Sequence, residues 1–168
     1  MRTFILVITA LAASGCGSTP SRPYSAPIQI ADAIPYEPGA ANDAVRSECD
    51  YPTYLPQRIA EIAAKHGIAV ELSHERLDQV TRGPVLLMRT TDVYVLGGGG
   101  YTGGGKKARV RGELREDGQV TGDFDIQRTS GGKWTACGTL DHIADAIAGN
   151  IVAWLKAPQP GTRIGLDR

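Results

Sequence analysis

Two periodicities run through the apolar positions of this chain. The sharper is the period of two. Ala108, Val110, Gly112 and Leu114 alternate with Lys107, Arg109, Arg111, Glu113 and Arg115, and farther on Val120, Gly122, Phe124 and Ile126 alternate with Thr121, Asp123, Asp125 and Gln127. Strict alternation of this kind predicts two strands, each with an apolar and a charged face. Between them lies Glu116-Asp117-Gly118. A two-residue Asp117-Gly118 loop would set Leu114 opposite Thr121 and mix the faces. A three-residue loop with Gly118 at positive φ sets Leu114 opposite Val120 and Val110 opposite Phe124. The three-residue turn is therefore expected, with Arg111 facing Asp123 and Arg109 facing Asp125 as exposed ion pairs. In that register Gly112 faces Gly122 on the inner side. The notch they leave needs a large filler, with Trp154 the first candidate and Trp134 the second.

The other period is helical. Leu55, Ile59, Ile62 and His66 fall on one stripe, with Pro56 suited to a first turn and Gly67 to a C-terminal cap, so a helix is predicted over about 55–66. Leu140, Ile143, Ile147, Ile151, Trp154 and Leu155 form a longer stripe, predicting a helix over about 139–157 stopped by Pro158. Residues 28–34 alternate weakly and suggest a short edge strand, residues 68–72 another strand, and the β-prone run 85–96 a central one. Residues 97–105 hold seven glycines and form a loop, and residues 158–168 are expected to be a disordered tail. Together these elements predict an α+β two-layer sandwich: a mostly antiparallel sheet of four to five strands with two helices on one face, in a single domain over 28–157.

The first residues do not belong to that domain. Met1-Arg2-Thr3 carries a positive charge and residues 4–13 are predominantly apolar. As a helix these ten residues rise only about 15 Å, half the ~30 Å hydrocarbon thickness of a bilayer, so they read as the core of a signal peptide over 1–15. Ala13-Ser14-Gly15 then leads into Cys16, a pattern that resembles the bacterial lipobox. The mature chain would begin at a lipidated Cys16, followed by a flexible tether over 16–27 that reaches ~35 Å when extended. Acyl chains on Cys16 would supply the membrane attachment. Gly17 follows the lipid site in place of an acidic retention residue, which favours the outer membrane, periplasmic face.

Composition narrows the partners. With 18 basic and 18 acidic residues the chain has no net charge, which argues against nucleic acid, since neutralising phosphates needs a basic surplus. Cys49 and Cys137 are the two cysteines left once Cys16 is lipidated, and an even pair in an oxidising compartment predicts one disulfide between helix beginnings.

Catalytic patterns are sparse. Residues 100–106 read G-x-x-x-x-G-K, yet Lys107 stands where a phosphate-binding loop has a magnesium-ligating hydroxyl, and a strand follows where that loop needs a helix. Tyr101, in the glycine loop, is instead a candidate contact residue. His66, His74 and His142 show no metal-ligand spacing, and Asp123 and Asp125 are better explained as partners of Arg109 and Arg111 than as a catalytic carboxylate pair. No catalytic residue, metal or other cofactor is expected. The charged face of Arg109, Arg111, Asp123 and Asp125 is the expected partner surface.

The lipobox, Cys49 before the first helix, the strand ending in glycines, the basic strand KKARVRGEL, the GDFDI strand, Cys137 and the helix closing in AWLKAP resemble a group of small uncharacterised proteobacterial lipoproteins. In outline the domain is also similar to envelope-assembly lipoproteins: the lipopolysaccharide-assembly, curli-secretion and transport-auxiliary lipoproteins. The resemblance implies a lipid-anchored, non-enzymatic binding module whose partner is an envelope protein or envelope component. The alternative of a different class is a small periplasmic hydrolase or metal-dependent enzyme built around Asp141, His142 or His74.

Overall fold

The computed structural model describes residues 24–95, 106–130 and 135–166. In chain order the elements are β1 (Ile28–Ala31), α1 (Asp43–Glu48), α2 (Tyr51–Lys65), β2 (Val70–Ser73), a 3-10 turn (Leu77–Gln79), β3 (Pro84–Tyr94), β4 (Lys106–Glu116), β5 (Gln119–Ser130), α3 (Ala136–Leu155) and β6 (Thr162–Ile164). The six strands form one sheet in the order β2-β1-β3-β4-β5-β6. The expected α+β class is present, but the sheet is mixed rather than mostly antiparallel. The pairs β1–β2, β1–β3 and β5–β6 are parallel, and only β3–β4 and β4–β5 are antiparallel. Each parallel return to a neighbouring strand is made through helix: α1 and α2 lie between β1 and β2, and α3 between β5 and β6.

Two strand assignments change as a result. The segment near residue 28 is an interior strand, not an edge, with Ile28 and Ile30 fully buried between β2 and β3. The tail is not disordered throughout: Thr162–Ile164 adds a sixth strand against Phe124, Asp125 and Ile126. The indole Nε1 of Trp154 donates to the Gln159 carbonyl at 3.2 Å, pinning the turn that leads there. At the other end Tyr24, inside the expected tether, packs on the core and donates its hydroxyl to the Leu155 carbonyl at 2.6 Å.

The helix expected over about 55–66 is α2, which begins four residues earlier than its apolar stripe suggests, at Tyr51, which is fully buried. Pro52 takes the initial turn, leaving Pro56 inside the helix. Pro56 offers no N–H to the Pro52 carbonyl, and that carbonyl accepts the N–H of Ile34 at 2.9 Å instead. The defect thus becomes a tie between helix layer and sheet. Across the helix layer, Asp145 of α3 accepts from Arg58 Nε at 2.6 Å and from the Tyr54 hydroxyl at 3.1 Å. A Cys49–Cys137 disulfide joins the end of α1 to the first turn of α3, as the parity of cysteines predicts.

The β4–β5 hairpin corrects the expected register. Its turn is the two-residue one: Glu116 pairs with Gln119, and Asp117 and Gly118 both take positive φ, 49° and 78°. The mixing of faces that this turn would cause is removed by a bulge. Arg115 pairs with Val120, but the next residue, Leu114, pairs with Gly122, so Thr121 is an extra residue on β5. Val120 is thereby turned out beside Arg115 and is 56% exposed, although its place in the alternation predicts it inward. Beyond the bulge the inner face is as expected, with Ala108, Val110, Leu114, Phe124 and Ile126 buried.

The two inner glycines do not face each other. Gly112 lies opposite Phe124, and Gly122 opposite Leu114. Each has its own filler. A Cβ on Gly112 would sit 2.3 Å from the Phe124 ring, and one on Gly122 would sit 2.9 Å from Trp154. Phe124 and Trp154 meet edge to face at 4.9 Å between centroids, so the notch is filled by this aromatic pair rather than by Trp154 alone. Trp134 lies outside the described residues.

Candidate functional site

The helices cover one face of the sheet, and the candidate site lies on the other. Three cross-strand registers align Arg89 with Arg111, Arg111 with Asp125, and Asp125 with Arg163, so one row of the outer face reads Arg-Arg-Asp-Arg over β3, β4, β5 and β6. The row below it reads Leu87, Glu113, Asp123. Thr91 bulges out of β3 between Thr90 and Asp92, which puts Asp92 opposite Arg109 and within 2.6 Å of Lys107.

Asp125 is the centre of this pattern. Arg109 approaches it side-on, Nε to Oδ1 at 2.6 Å and Nη2 to Oδ2 at 2.5 Å, while Arg111 Nε reaches Oδ2 at 3.0 Å. Burial by itself would raise the carboxyl's pKa, but the hydrogen bonds and charges of Arg109 and Arg111 outweigh it and hold Asp125 below the ordinary carboxylate range. Its side chain is only 15% exposed, whereas that of Arg111 is 52% exposed. The expected pairing of Arg109 with Asp125 is therefore present, reached diagonally because Gln127 is the directly facing residue. The expected pairing of Arg111 with Asp123 is not. The two-residue turn and the Thr121 bulge each shift the register by one residue and together set Arg111 opposite Asp125, and Asp123 faces Glu113 and accepts the N–H of Gly161 at 2.9 Å.

The structure brings in residues that the alternating pattern alone did not single out. Arg89 was readable in the β-prone run, where it alternates outward with Leu87. Arg163 was not, because residues 158–168 carry no strand periodicity and join the sheet only by pairing with β5. Around these residues lies a concavity of about 470 Å³, bordered by Arg89, Arg111, Arg115, Arg163 and the carboxylates Glu37, Glu113, Asp123 and Asp125. A second, of about 380 Å³, shares Glu37, Leu87 and Arg89 with it and is bordered otherwise mostly by apolar residues, among them Pro35, Pro38, Leu77 and Met88, together with the carboxylate of Asp78. Two walls make the second hollow. Residues 35–40 run beside β3, with Thr90 donating to the Pro35 carbonyl and Glu37 donating to the Thr90 carbonyl, both at 2.9 Å. Opposite them the 3-10 turn lies against β1 and β3. Leu77 and Val85 are buried there, outside the main core.

Neither concavity is bordered by a histidine. His74 pairs with Asp32 at 2.6 Å, His66 Nδ1 lies 3.3 Å from Lys156 Nζ, and His142 is on the exposed side of α3. Among the described residues no group of three His, Cys, Asp or Glu is placed to hold a metal ion. Cys16, the leader over 1–15, Tyr101 and the glycine loop over 97–105 lie outside the described residues. No described helix is long and apolar enough to cross a membrane. The chain matches no family model, no curated protein and no solved structure.

Proposed function

We propose that this chain is a lipid-anchored, non-catalytic binding module of the bacterial envelope, held at the periplasmic face of the outer membrane through Cys16 and presenting the outer face of its sheet to an envelope partner. The observation that carries this reading is the exposed arginine row. Arg89 and Arg111 stand directly opposite each other across β3 and β4, an arrangement of like charges that weakens a strand pair unless something offsets it. Their guanidinium donors point away from the helices into an open basin. The lipobox pattern supports the anchor.

Photoreactive residues placed at Arg111 and Leu87 in intact cells test the surface. The expected result is one crosslinked envelope species at both positions and none from a residue on the outer side of α3, such as His142. Capture at His142 alone would move the interface to the helices. Cys16→Ser tests the anchor: it is expected to abolish labelling by a palmitate analogue and release the protein from the membrane pellet, and an unlabelled wild type would disprove lipidation.

A further inference from the structure

The two concavities adjoin at Glu37, Leu87 and Arg89 and make up one trough on the outer face, mostly apolar but for Asp78 at the Leu77 end and arginine-lined at the other. We infer that this trough binds an extended peptide segment of the partner, seating an acidic side chain between Arg89 and Arg111 and an apolar side chain over Leu87. This rests on the binding-module reading and specifies what the module takes.

The arginines have donors to give. Asp125 is already held side-on by Arg109, and Arg111 spends only its Nε on it. Arg89 has Glu37 at a loose 3.6 Å and a side chain 64% exposed. Arg163, exposed at the end of the row, has no partner among the described residues. The nearby acids are committed elsewhere: Glu113 to Arg115 at 2.6 Å and Asp123 to the Gly161 N–H.

The kind of anion follows from the lining. At the arginine-lined end four arginines are balanced by four carboxylates, and Asp78 adds a fifth at the other end, so a multiply charged phosphate would meet at least as much repulsion as attraction. A single carboxylate matches the planar guanidinium fork in shape and charge. The trough is open along its length, which would leave an acyl chain in water but suits a peptide that keeps its own backbone solvated. Leu87 and Arg89 are two residues apart on β3, about 6.6 Å, which is also the spacing of same-side residues i and i+2 in an extended peptide. The recognised pattern is therefore apolar-x-acidic.

The test uses the purified full chain and a blocked pentapeptide, acetyl-Gly-Leu-Gly-Glu-Gly-amide, followed by NMR titration. Saturable shifts are expected at the side-chain Nε–H of Arg89 and Arg111 and at the Leu87 methyls. Changing the peptide's Glu to Gln, or the protein's Arg89→Gln or Arg111→Gln, is expected to weaken binding by about tenfold, whereas Lys65→Gln, at the exposed end of α2 and away from the trough, should leave it unchanged. Unaltered near-ultraviolet circular dichroism shows that each variant is folded. Equal binding of the Glu and Gln peptides, or indifference to Arg89→Gln, overturns the inference. So does tighter binding at these arginines by inorganic phosphate or by phosphatidylglycerol vesicles. If peptide binding fails while a photoreactive residue at Leu87 still captures a partner in cells, only the peptide assignment falls. If both fail, the binding-module reading falls with it.

Discussion

Asp125 and Arg111 belong to the same ion cluster but carry different weight. Arg111 is half exposed and makes one bond to a carboxylate that Arg109 already holds. Arg111→Glu is therefore expected to lower stability by no more than about 1 kcal/mol. Asp125→Asn leaves the Arg109 guanidinium facing a neutral amide in a partly buried place and is expected to cost about 1–3 kcal/mol, several degrees in Tm for a domain of this size. Because folding depresses the pKa of Asp125, its contribution is complete above about pH 5 and disappears as pH falls through the carboxylate range. Urea midpoints measured from pH 7 to pH 3 should show a steeper acid-side decline in the wild type than in Asp125→Asn. A buried hydroxyl gives the opposite sign of effect. Tyr51 is fully enclosed in α2 and its hydroxyl has no partner among the described residues, and burial pushes its pKa far up. Tyr51→Phe removes a desolvated polar atom while keeping the ring, so it is expected to raise Tm by a few degrees in calorimetry.

The hairpin shows how an element settles a conflict between its turn and its faces. Asp117-Gly118 is well suited to a tight two-residue turn, since Asp tolerates and Gly favours positive φ, and that local preference prevails over the simple alternation. The Thr121 bulge then absorbs the one-residue mismatch. Because Thr121 is the surplus residue, deleting it would leave Arg115 opposite Val120 and Leu114 opposite Gly122 in an uninterrupted ladder. Thr121 deletion is thus expected to fold with the same inner residues and to change Tm by only about 5 °C, the scale of roughly 1 kcal/mol in a domain of this size. Amide exchange protection at Val110 and Ile126 would check it, and loss of that protection would refute the bulge account. The inner glycines belong to the same element. Gly112 is needed because the Phe124 ring lies where its side chain would be, so Gly112→Val should displace Phe124 and with it the contact to Trp154.

At the scale of the whole molecule the helix layer is cross-tied covalently and the sheet is closed by its tail. The Cys49–Cys137 bond spans 88 residues, and in the chain-entropy model a loop of that length contributes about 4–5 kcal/mol. Replacing both cysteines by Ala is expected to lower the urea midpoint accordingly without changing the fold, measurable by comparing the variant with the oxidised, disulfide-bonded wild type. Ending the chain at Ala157 would take away the Gln159 acceptor of Trp154, the Pro158 contact over Gly122 and the strand that carries Arg163.

Much of this architecture is written in local pattern. The faces of β4 and β5, the two amphipathic helices and the long central strand follow from periodicity, because each must bury one side against the same core, and the disulfide follows from parity and compartment. The charged surface was also readable, since alternation leaves Arg109, Arg111, Asp123 and Asp125 no room inside. Register was not, because the shorter turn and the bulge each shift the cross-strand partners by one residue, and together they moved Arg111 from Asp123 to Asp125 while returning the residues beyond the bulge to their expected faces. Nor were the parallel pairings of β1 and β6, which no local pattern specifies, since short strands acquire neighbours only when a helix returns the chain to the sheet. Arg163 reached the arginine row in that way, and the apolar end of the trough is walled by residues 35–40 and the 3-10 turn, segments whose places depend on contacts with strands distant in the chain.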